Sequence, residues 1–140
     1  MSPHEDEIIR KIVGEWLHKA DQDIRAAEAL LLQDPPLFYP SSFHSQQAAE
    51  KYLKAYLTKL QVEFPKTHSI RELLYLVKPV DKELADTLQP AADLTPYGVE
   101  VRYPGDAPEP SRNETEEALA LARQVADAVT RRLKKGKINL

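Results

Sequence analysis

Apolar residues recur along this chain at helical spacing, in blocks separated by proline. Prolines stand at positions 3, 35, 36, 40, 65, 79, 90, 96, 104, 108 and 110. A proline inside a helix lacks the N–H and clashes with the preceding turn. The proline-free windows 4–34, 41–64, 66–78, 80–89 and 111–140 are therefore read as the helices. In the first, Ile9, Ile12, Val13, Trp16, Ala20, Ala27, Leu30 and Leu31 share one stripe. In the second, Ala49, Leu53, Tyr56, Leu57 and Leu60 form the apolar face, with His44, Gln47, Lys51 and Lys54 opposite and Gln46 and Glu50 at the edge. The third opens on a capping box, Ser69 to Glu72, ahead of Ile70, Leu73, Leu74 and Val77. Asp81 is the expected cap of a fourth, brief helix with Leu84, Ala85 and Leu88 inward. A second capping box, Ser111 to Glu114, opens the last helix. Its stripe is Ala118, Leu121, Ala122, Val125, Ala126, Val129 and Leu133, and its end carries the basic residues Arg131, Arg132, Lys134, Lys135 and Lys137.

No window alternates with period two, so strands are unsupported. Three long amphipathic helices and two short ones must bury their stripes together. The expected fold is all-α: an up-and-down four-helix-type bundle with one additional short helix and a long proline-rich loop before the last helix, in a single domain over 1–140. That loop, Pro90 to Pro110, exceeds the usual helix–helix connection of about 2–8 residues. Tyr97, Val99, Val101 and Tyr103 alternate in it with Glu100 and Arg102. It is read as an ordered segment that packs its aromatic side and presents Arg102, the alternative being a floppy crossover.

Composition narrows the function. The 140 residues hold 19 basic and 22 acidic side chains, a formal charge of −3, which argues against a generally basic nucleic-acid binder. There is no cysteine, so disulfides, zinc–cysteine sites, iron–sulfur clusters and thiol catalysis are excluded. No apolar run approaches the roughly 20 residues that span a membrane. Met1 to Glu7 is polar and acidic rather than signal-like, so a cytoplasmic location is expected. Phosphate-cradling glycine loops, a nucleophile elbow and paired metal-binding histidines are missing from the sequence, and neither metal nor cofactor is expected.

The candidate chemistry lies where polar residues interrupt the pattern. Asp23 falls in the middle of an apolar stripe, where a carboxylate must find a partner. It is either a structural ion pair or a support for Arg102 or a ligand. Gln46 and Glu50 pose the same choice one turn apart on the second helix. Lys51 and Lys54 are read as a solvated face, and His68, just before the Ser69 cap, as local structure or an acid–base group.

Taken in order, these residues resemble the HEPN family of small helical prokaryotic domains. The similarity runs through Trp16-x-x-x-Ala20-x-x-Asp23, then Phe43-His-Ser-Gln46-Gln47-Ala48-Ala49-Glu50-Lys51-x-x-Lys54-Ala55, then Pro65-x-Thr67-His68-Ser-Ile70, and Arg102-Tyr103-Pro104. The resemblance implies a helical bundle, usually homodimeric, that accompanies a separately encoded minimal nucleotidyltransferase and binds its nucleotide or substrate. Other members of the family are ribonucleases of toxin–antitoxin systems that use Arg followed by four to six residues and His. From Arg102 those positions hold Ala107, Pro108 and Glu109, and no other arginine completes the motif. The expected function is therefore a non-catalytic nucleotide- or phospholigand-binding module. Arg102 is the anion contact, since a guanidinium suits bidentate phosphate recognition. Asp23 and Glu50 orient it, with Lys54 and His68 as further candidates. The alternatives are a ribonuclease toxin pairing Arg102 with His68 or His44, and a purely structural or antitoxin dimer.

Overall fold

The computed structural model describes residues 2–98, 103–106 and 108–138, with side chains to Lys135. They form an all-helical bundle: α1 (Pro3–Leu31), α2 (Phe38–Lys59), α3 (Ile70–Val77), α4 (Lys82–Thr87), a 3-10 helix (Gln89–Gly98) and α5 (Arg112–Ile138). No strand occurs among the described residues.

Helices α1, α3, α4 and α5 begin where a side chain accepts from their free N–H groups, whereas α2 starts after Leu37 without a side-chain cap. The Ser2 hydroxyl accepts from the Glu5 N–H at 3.1 Å, and Pro3 takes the first helical position, where its missing N–H costs nothing. At α5 the capping box is complete. Ser111 Oγ accepts from the Glu114 N–H at 3.1 Å, and the Glu114 carboxylate accepts from the Ser111 N–H at 2.9 Å. At α3 the box is rerouted. Ser69 Oγ accepts from the Glu72 N–H, but the Thr67 hydroxyl donates to Glu72 and accepts from the Ser69 N–H. Asp81 caps α4 through the Leu84 N–H at 3.1 Å.

Pro40 does not precede α2, as the proline windows predict, but sits inside its first turn. A proline is tolerated there because the first N–H groups have no intrahelical acceptor. α2 also stops at Lys59, short of the predicted 64, and Gln61 takes a left-handed conformation with φ 59°.

α2 is the axis of the bundle. α1 packs chiefly against it, and α5, α3 and the 3-10 helix cover its other sides. Thirteen of its residues are buried, Ser41, Ser42, Ser45, Gln46, Glu50 and Lys54 among them. Leu53, Leu57, Ile70, Leu73, Leu74, Leu88, Leu94, Val125 and Val129 fill the core. The first half of the proline-rich stretch is regular. Gln89–Gly98 winds into a 3-10 helix that buries Ala91, Ala92 and Leu94. Tyr97 is half-buried against the core, as expected of the aromatic side, but Tyr103 is 71% exposed. Its N–H donates to Asp106 in a turn instead. Val99, Glu100, Val101 and Arg102 lie outside the described residues.

Candidate functional site

Six polar side chains occupy one half of the α2 circumference. At about 100° per residue, Gln46, Glu50, Lys54, Gln47, Lys51 and His44 fan across roughly 160°. A helix in the middle of a bundle cannot leave such an arc bare, and both of its edges are covered. α1 closes one edge with Trp16 and Asp23. The segment before α3 and the end of the 3-10 helix close the other with His68 and Gly98.

Glu50 anchors the inner edge. Its carboxylate is almost fully buried, and it accepts from Lys54 Nζ at 2.8 Å and pairs with His68 Nδ1 at 2.9 Å. A carboxylate only accepts, so Nδ1 carries the proton in that pair. The His68 ring is itself 71% exposed, and its other nitrogen, Nε2, is left without a partner among the described residues. The Gln46 amide lies beside this pair. Its Nε2 donates to the His68 carbonyl at 2.9 Å and to Glu50 at 3.4 Å, and its oxygen accepts from Gln47 at 2.7 Å. Gly98 rests directly on that amide. A Cβ at this position would stand 2.9 Å from the Gln46 side chain, so any other residue here would displace the amide from its hydrogen bonds.

Asp23 anchors the outer edge. It is 7% exposed, and its two oxygens take His44 Nδ1 at 2.8 Å and Lys51 Nζ at 2.5 Å. His44 likewise carries its proton on Nδ1, facing a carboxylate that can only accept. The site thus holds two imidazoles, each gripped at Nδ1 by a buried carboxylate, with Gln47 and Lys51 on the arc between the two edges.

Lys54 corrects the sequence reading. It is not part of a solvated face, since its side chain is only 8% exposed. Its ammonium pairs with Glu50 and lies 5.5 Å from the centre of the Trp16 ring and 5.9 Å from that of Phe64. Those contacts suit a desolvated cation. Lys54 is therefore linked to the exposed His68 ring through Glu50 rather than reaching solvent itself. Gln46 and Glu50 are likewise inside the bundle rather than at its edge. Arg102 lies outside the described residues, four positions after Gly98. Among the described residues no three histidine or acidic groups cluster as a metal site.

A HEPN domain family model matches residues 13–133, a span that contains every residue of the arc and both of its covered edges. The chain belongs to the HEPN domain family. Among solved structures, TT1696 from Thermus thermophilus is similar to it. The identity is 31%, the TM-score is 0.71, and the match covers 85% of this chain and 96% of that one. No curated protein matches the chain.

In this HEPN chain, sequence reasoning singled out Asp23, Glu50 and His68, and the structure gives each a specific partner. It missed His44 and Lys51 as partners of Asp23. Their seven-residue separation, which returns to the same face, was the available signal. A separate polar cluster occupies the opposite side of α2. The Tyr56 hydroxyl donates to Asp81 at 2.6 Å, and Arg132 of α5 donates to both Asp81 oxygens at 2.9 and 3.4 Å. Burial, then the Asp81 hydrogen bond and charge, push the Tyr56 phenol up to about 12, against the opposing pull of Arg132. Burial pushes the Asp81 carboxyl upward, but the hydrogen bonds from Arg132, Tyr56 and the Leu84 N–H outweigh it and hold the group below its ordinary value. Arg132, one of the basic residues near the end of α5, is thus an inter-helix clamp.

Proposed function

We propose that this HEPN domain is a non-catalytic module that binds a nucleotide or other phosphorylated ligand over the α2 arc. In this reading it acts with a separately encoded minimal nucleotidyltransferase, as a homodimer. The observation that carries the reading is the Glu50–His68 pair. A buried carboxylate is committed to a ring that is 71% exposed. A hydrogen bond to an exposed group adds little to packing, but it fixes the direction in which His68 Nε2 faces solvent. When the ring is protonated, that nitrogen is a donor suited to a phosphate oxygen. Lys51 is partly exposed on the same arc, and Arg102 follows Gly98 closely in sequence. Together they supply the positive charge a phosphate needs.

The test is calorimetry of a nucleotide panel against the wild type, Arg102→Ala and His68→Ala. Binding by the wild type that weakens about tenfold or more in each variant is expected, since a charge-assisted hydrogen bond is worth roughly 1.5–3 kcal/mol. Equal binding by all three proteins, or none by any, refutes the site. Co-purification with a nucleotidyltransferase encoded next to this chain checks the partner.

The same pair favours one second reading, a ribonuclease. With Nδ1–H held by Glu50, the neutral ring offers Nε2 as a base, the arrangement general acid–base cleavage requires. RNA degradation by the purified protein, or toxicity on expression that is lost in His68→Ala, would select that reading over the first.

A further inference from the structure

We propose that α1 pairs antiparallel with α1 of a second copy of this chain, about a twofold axis at Ile12. This rests on the homodimer of the reading above, gives it a face, and needs no ligand. One shoulder of α1 carries an apolar run that the bundle leaves uncovered. Ile8 is 45% and Ile12 39% exposed, one turn apart, and the half-buried Trp16 follows one turn on. Single exposed apolar side chains are ordinary on a protein surface, but three in line along a helix make a seam. The same shoulder is hollowed. Ile12, Glu15, Trp16 and Lys19 line a shallow depression of about 170 Å³. Their spacing is i, i+3, i+4 and i+7, which are the four residues that make a hole for a knob from a facing helix. The plane of Trp16 in that hole is fixed from behind, with Phe64 at 6.4 Å between ring centres and the Lys54 ammonium against the ring.

The order of residues along α1 says which helix supplies the knob. In an antiparallel pair about Ile12, positions equally far before and after Ile12 come level with each other. The hole is centred between Glu15 and Trp16, so the second copy's Ile8 and Ile9 stand level with it. Ile8 is the more exposed of the two and lies on the shoulder, so it is the knob. Ile12 meets its own counterpart on the axis. Glu5 comes level with Lys19, twice by symmetry. Neither side chain has an ion-pair or hydrogen-bond partner among the described residues. Acid at one end of the seam and base at the other is the charge pattern a reversed copy complements. A parallel copy would set Glu5 on Glu5 and Lys19 on Lys19. A surface that complements itself is what a twofold interface demands, and an unrelated partner gives no reason for it.

The test is sedimentation of the full chain across a wide range of concentration. A monomer–dimer equilibrium is expected. Ile8→Asp and Ile12→Asp, both at exposed positions, are expected to weaken it about tenfold or more, because each places a charge in the seam of both copies. Glu5→Lys alone and Lys19→Glu alone are expected to weaken it about threefold, and the two together to restore it. Glu5 and Lys19 are fourteen residues apart, about 21 Å of helix, so that rescue can only act between copies. The chain has no cysteine, so Ile12→Cys is expected to cross-link to itself on mild oxidation. Gly14→Cys, on the far side of α1 with open space around it, is expected not to. A monomer at every concentration overturns both the face and the homodimer. A dimer unaffected by Ile8→Asp and Ile12→Asp overturns the face and leaves the homodimer standing. A double charge exchange that fails to restore association overturns the antiparallel register.

Discussion

Glu50 concentrates the energetics of the site in one side chain. Its partner Lys54 is nearly as deeply buried as it is, so removing the carboxylate leaves an ammonium with only aromatic rings for company. Breaking such a pair costs about 3–5 kcal/mol, whereas replacing both members by apolar groups of similar size is often neutral. Glu50→Ala is expected to lower the unfolding free energy by that amount in urea titrations. Glu50→Leu combined with Lys54→Met should recover most of the loss while abolishing any ligand binding that depends on His68. A double variant as unstable as the single one would show that the pair is not the source of the effect. The carboxylates were legible in the sequence because Asp23 and Glu50 break or border apolar stripes, and an isolated charge cannot be left there. Lys54 was not. A lysine carries a long apolar stem, so its position on a helical wheel says little about whether its head reaches water. Only the placement of Trp16 and Phe64 decides that.

Among the elements, the helix starts could be read from the chain, since Ser69, Asp81 and Ser111 all cap as their spacing predicts. The limits of α2 could not. Pro40 sits in a first turn that tolerates it, and the helix ends before the next proline forces it to. Nor could the 3-10 helix be foreseen, because Pro90 and Pro96 suggest a loop while Ala91, Ala92 and Leu94 pack as a regular element. How α4 and α5 are joined to α2 was equally hidden, because Asp81, Tyr56 and Arg132 are far apart in sequence. That clamp makes a pH prediction. The folded state holds Asp81 below its ordinary value of 3.8, so its ionised form stabilises the fold. The contribution is complete above that value and is lost as pH falls through the lower, folded one. The melting-temperature advantage of wild type over Asp81→Asn should therefore be constant near neutrality and shrink as pH falls below the ordinary value of 3.8. An advantage that persists unchanged at the acid end would mean that the charge of Asp81 is not its source.

Over the whole molecule, the all-α bundle followed from periodicity, while the order of packing around α2 did not. A helix buried on nearly every side has no single apolar stripe to read, and its polar arc looks like a solvent face until the neighbours are in place. That arrangement divides the site unequally. Trp16, Asp23, His44, Lys51, Glu50 and Lys54 all belong to α1 and α2, consecutive helices joined by a short connection, whereas His68 comes from the segment before α3 and Gly98 from the end of the 3-10 helix. Native chains open in cooperative units of differing stability, and short, peripheral elements open first. Amide exchange should therefore be slowest in the middle of α2 and markedly faster in α3, α4 and the 3-10 helix, with a saturating nucleotide slowing the second group more than the first. Uniform exchange across both groups would argue against separate units. If the units are separate, His68 can leave Glu50 through a local opening that never exposes the core, and the site acquires a moving half without any hinge having been built for it.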